Sequence, residues 1–139
     1  MKKILLSAFI AAALIGCKKK NDTDKEPEKT CTTEFAMVSV KFTDKSGAGA
    51  EIKDITVINQ RTGEKIQASA NAFVDMVRGG YIVADDHNRP GLSESGDDLK
   101  VTATSVSTNQ TKSATIKVSG GKSVCHINKI SGPDQIAFD

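Results

Sequence analysis

"FAMVSVKF", residues 35–42, sets Ala36, Val38, Val40 and Phe42 at every second position. Successive side chains of a strand point to opposite faces, so a period of two places these four on the buried side of a sheet. The same texture continues outward. "DITVINQ" (54–60) leads through Arg61-Thr62-Gly63-Glu64 into "KIQAS" (65–69), a hairpin signal with glycine where a turn needs positive φ. "GGYIVADD" (79–86), "LKVTATSVS" (99–107), "SATIKVS" (113–119) and "SVCHINKIS" (123–131) follow, separated by glycine, asparagine and acidic clusters. Thr, Val, Ile and Ser dominate these runs, and β-branched residues favour a pleated, half-buried surface. About seven short strands at this spacing predict an all-β, antiparallel sandwich over residues 31–139. Residues 69–77, "SANAFVDMV", fit a short helix or a strand equally.

The N-terminus has a different logic. Lys2 and Lys3 precede an apolar run over residues 4–16, broken only by Ser7. A helix crossing hydrocarbon needs about 20 apolar residues, so this run reads as a secretory signal. Leu14-Ile15-Gly16-Cys17 resembles the lipobox of bacterial lipoproteins. The resemblance implies cleavage before Cys17, a diacylglyceryl thioether on its sulfur and acylation of the new amino group. At about 0.8 kcal/mol per buried methylene, several such chains hold a protein on a membrane. An ordinary cleaved signal with an incidental cysteine is the alternative. Residues 18–30, "KKKNDTDKEPEKT", offer no strong apolar side chain to offset ordering entropy and read, with Cys17, as a disordered tether. Fully extended, this segment reaches about 45 Å. Its acidic part resembles signals that send lipoproteins to the outer face of the outer membrane.

Charge gives no support to one class of partner. The chain has 19 Lys+Arg against 17 Asp+Glu, but Lys2 and Lys3 leave with the signal and bring the counts level. A neutral mature chain is no evidence for nucleic acid. Of three cysteines, one carries lipid, which leaves Cys31 and Cys125 for a disulfide in an oxidising compartment. Free thiols, or a metal site using Cys125 and His126, are the alternatives, but adjacent strand residues point apart and ligate one ion poorly.

Residues 38–64, "VSVKFTDKSGAGAEIKDITVINQRTGE", resemble the opening of carboxypeptidase-regulatory-like, transthyretin-type sandwiches, and "GGYIVADD" is similar to their later Gly-Tyr strand. The tail "CHINKISGPDQIAFD" (125–139) resembles the end of small lipoproteins of the Bacteroidota type. The resemblance implies an Ig-like sandwich without catalytic residues.

No catalytic constellation is legible by spacing. "GLSES" (91–95) begins like a nucleophile elbow but ends in Ser95, within a polar loop. "SGGK" (119–122) and "GKS" (121–123) lack the helix start or upstream glycine their motifs require. His87 and His126 have no partner by spacing. Phe35, Phe42, Phe73 and Phe138 sit among apolar neighbours and read as core. The absence of Trp and a single Tyr81 disfavour stacking on sugars or single strands.

Residues 84–98, "ADDHNRPGLSESGDD", form the longest charged connection. His87, Asn88, Arg89 and Glu94 make it the expected binding loop, carrying little core. Its paired carboxylates, Asp85, Asp86, Asp97 and Asp98, could supply oxygen ligands to calcium; the plainer reading is a solvated turn bent at Pro90-Gly91, and no metal is favoured. The sequence therefore predicts a lipid-anchored, non-catalytic binding or accessory module of the cell envelope, whose partner is an envelope protein or extracellular ligand. The alternatives are a small hydrolase with an unrecognised or metal-dependent site and a purely structural lipoprotein.

Overall fold

In the computed structural model, residues 30–69 and 78–139 are described. Signal, Cys17, most of the tether, and residues 70–77 with Phe73 lie outside them. Strand β1, Met37–Thr43, buries Val38, Val40 and Phe42 at the alternate positions. It is followed by β2, Ile52–Asn59; β3, Gly80–Asp85; β4, Asp97–Ser105; β5, Thr111–Ser119; β6, Asn128–Ser131; and β7, Gln135–Ala137. A single 3-10 turn, Arg89–Gly91, interrupts the connection from β3 to β4.

The strands form an all-β sandwich, one sheet ordered β3-β1-β7 and the other β2-β4-β5-β6. Between them lie Val57 of β2, Leu99, Val101 and Ala103 of β4, Ile116 and Val118 of β5, and Ile136 of β7, all buried with the inner face of β1. Phe42 and Phe138 stack there at 5.9 Å between ring centroids. Burying each large apolar side chain is worth about 1.5–3 kcal/mol, which is why the period-two pattern fixes which face turns inward. Gly79 shows how close the backbones come: it has φ +83°, and a Cβ there would lie 2.2 Å from the Phe42 carbonyl oxygen.

One strand pairing departs from the expected antiparallel sandwich. β7 pairs parallel to β1, Phe42 opposite Ile136. "KIQAS" turns at Gly63 with φ +74° as expected, but it forms only an isolated bridge, Ile58 to Lys65. Further on, its backbone is drawn to side chains: Asn88 Nδ2 donates to the Gln67 carbonyl at 2.8 Å and the Ser69 N–H donates to Asp85 at 2.5 Å. "SVCHINKIS" is strand only over β6, because its first half binds across the end of the sandwich.

Candidate functional site

The connection from β3 to β4 is part of the folded body, which corrects the expectation of a loop with little core. Leu92 is 4% exposed and belongs to the main core. Gly120 has no room for a side chain, since a Cβ would come 2.8 Å from both the Arg89 carbonyl oxygen and Leu92 Cβ. The Arg89 guanidinium donates to the carbonyls of Gly121 and Val124, and the Arg89 carbonyl accepts from the Gly121 N–H at 2.8 Å. Asn88 accepts from the Asp85 N–H at 3.0 Å while its amide holds Gln67. Glu94 accepts from Ser123 Oγ. Three of the four expected binding side chains thus fasten the loop, and His87 and Glu94 are the exposed members of the four.

The four carboxylates of the calcium reading do not converge. Asp85 is buried and accepts from the N–H groups of Ser69 and His87. Asp97, its side chain 1% exposed, accepts from Asn59 Nδ2 at 2.7 Å, from Arg61 Nε at 2.5 Å and Nη2 at 2.8 Å, and from the Ser93 N–H at 3.2 Å. The Arg61 guanidinium holds the Asp97 carboxyl below the usual carboxylate range, outweighing burial. Asp98, next along the strand, faces solvent on the opposite side. Among the described residues no three of His, Cys, Asp and Glu are grouped to hold a metal ion.

Asp86 organises the remaining corner. The disulfide joins Cys31 to Cys125 with Cα atoms 5.3 Å apart. Beside it, one oxygen of Asp86 accepts from the Ala36 N–H at 2.9 Å and faces His126 Nδ1 at 2.7 Å; the other accepts from the Ile127 N–H at 2.9 Å. Burial alone would raise this carboxyl, but the bonds from Ala36, His126 and Ile127 prevail and its pKa is lowered. An ionised carboxylate only accepts, so Nδ1 carries a hydrogen, and in that neutral tautomer Nε2 is the acceptor. Thr32 Oγ1 lies 2.9 Å from that nitrogen. The result is the order hydroxyl, imidazole, carboxylate.

That constellation was invisible to spacing, since Thr32 and His126 are 94 positions apart. One signal pointed to it: once Cys31 pairs with Cys125, their successors Thr32 and His126 must be neighbours. Phe35 corrects another expectation. It is 45% exposed rather than core, and its ring lies 5.3 Å from that of His87, inclined by 58°. Phe35, Asp86 and His87 line an open depression of about 290 Å³. A second, of about 410 Å³, lies where β1 and β4 end, lined by Asp44, Ser105, Phe138 and Asp139 among others. Comparison with known proteins finds no matching family model, no matching curated protein and no matching solved structure.

Proposed function

We propose that the mature chain is a lipid-anchored binding or accessory module of the bacterial cell envelope, held at the outer membrane through Cys17 and facing outward. Its contact surface is the Phe35–His87 pair. The observation that carries this reading is the exposed Phe35 ring, seated on His87 and adjoining Ala36, whose N–H is bound to Asp86. An apolar ring presented on an ordered backbone loses little entropy on contact, and aromatic rings, phenylalanine included, are enriched in protein interfaces. The likeness of residues 38–64 to carboxypeptidase-regulatory-like domains supports a recognition role, as does the tether, which enters the sandwich at the same corner through Cys31. Among the described residues no helix is long and apolar enough to cross a membrane.

Two measurements test the proposal. Mass spectrometry of the mature N-terminus is expected to find Cys17 acylated; an unmodified Cys17 refutes the anchor. A photo-crosslinking side chain at position 35 on intact cells is expected to give one discrete adduct, while the same probe at the exposed Thr115 gives none. Equal capture from both positions removes Phe35 as the contact.

A further inference from the structure

We propose that the Thr32–His126–Asp86 relay makes the Thr32 hydroxyl an acyl acceptor, able to take one acyl group from an activated carboxylic ester. This goes beyond the binding role and does not depend on it. A hydroxyl is a weak nucleophile until a base within hydrogen-bond reach removes its proton, and that base works best when a third group orients it. All three conditions meet here. Thr32 is exposed and lies 2.9 Å from His126 Nε2, and Nδ1 lies 2.7 Å from Asp86. The base and its orienting carboxylate are the sheltered members, 26% and 13% exposed. Asp86 is itself fixed by the Ala36 and Ile127 N–H groups, and Cys31 and Cys125, the neighbours of Thr32 and His126, are tied together covalently. The arrangement is therefore held by backbone and cross-link rather than by mobile side chains alone.

The step balances simply. Thr32 Oγ1 attacks the ester carbonyl carbon as its proton passes to His126 Nε2. The bond from that carbon to the leaving oxygen breaks, and the proton moves from Nε2 to the departing alkoxide or phenoxide. The products are an acyl ester on Thr32 and a free alcohol or phenol, with the imidazole neutral again. The depression lined by Phe35 and His87 shares Asp86 with the relay, so its apolar wall favours an aryl ester. Donors with good leaving groups are the expected class, because they need the least stabilisation of the negative oxygen.

The test uses the full processed protein and 4-nitrophenyl acetate. Nitrophenolate release is followed by absorbance, and peptide mapping locates the acetyl group. The expected result is acetyl on residue 32, retained in Thr32→Ser, absent from Thr32→Val, and formed about a hundredfold more slowly in His126→Gln, the lower end of what a positioned base contributes. Thr32→Val alters only an exposed side chain, and an unchanged melting temperature confirms that its fold is intact. Acetyl on lysines or on the imidazole without Thr32 overturns the proposal. So does Thr32→Val that releases nitrophenolate like the wild type, in which case the relay only fastens the incoming chain.

Discussion

Replacing Asp97 with alanine measures how firmly the β3–β4 connection is tied to the second sheet. The carboxylate is buried and receives four hydrogen bonds, from Asn59, from Arg61 twice and from the Ser93 N–H. Asn59 is itself 1% exposed, so its amide nitrogen loses its acceptor where water cannot easily replace it. A stranded buried donor costs about 1–3 kcal/mol, and the weaker bond from Ser93 adds about 0.5–1 kcal/mol. The expected loss is then roughly 2–4 kcal/mol at pH 7. Arg61 is half exposed and recovers water, so Arg61→Ala should cost less than Asp97→Ala. With a urea slope of about 1–1.5 kcal/mol/M, the unfolding midpoint of the mutant drops by roughly 2 M. Acid supplies an internal control. The folded carboxyl is lowered from the ordinary 3.8, so its contribution is full above that value and is lost as pH falls through the folded pKa. Wild type and mutant should therefore converge in acid. A difference below about 1 kcal/mol at pH 7, or a gap that does not narrow towards pH 2–3, refutes the reasoning.

Three further outcomes follow from the same geometry. Leu92→Ala should destabilise by about 2–4 kcal/mol, measured by urea unfolding, because Leu92 sits in the main core; a loss under about 0.5 kcal/mol would restore the picture of an independent loop. Replacing Cys31 and Cys125 by serine should cost roughly 4–5 kcal/mol, because the bridge spans 94 positions; a melting temperature equal to wild type would show that the bridge does not restrict the unfolded chain. Millimolar calcium should leave the melting temperature unchanged, because Asp85, Asp86 and Asp97 are engaged with protein donors; a rise would show a bound ion through mass action.

Residues 35–42, with the similar runs that follow them, mark the class of fold. A period of two can bury one face only as a strand, and the inward residues Val38, Val40 and Phe42 are those the alternation selects. The disulfide was legible too, because the resemblance of residues 14–17 to a lipobox sets Cys17 aside and leaves Cys31 and Cys125 as the pair. Local pattern carries this information because it depends on near neighbours and on which residue types are present. Partner choice across the chain does not. Nothing in "QIA" (135–137) announces a strand, yet it lies parallel to β1 because Ile136 and Phe138 complete the core beside Phe42. Phe35 has an apolar neighbourhood in sequence but lies just before β1, on its outward side, where His87 is the ring beside it. The four loop aspartates look alike as letters and differ as groups. Asp86 meets backbone donors from residues 36 and 127, Asp97 meets Arg61, and Asp98 meets water. Thr32, Asp86 and His126 come from three distant stretches and acquire their order only when the disulfide and the Asp86 bonds close that corner. Sequence determined periodicity and cross-link; the packing of distant segments against one another decided which polar groups are partners and which face solvent.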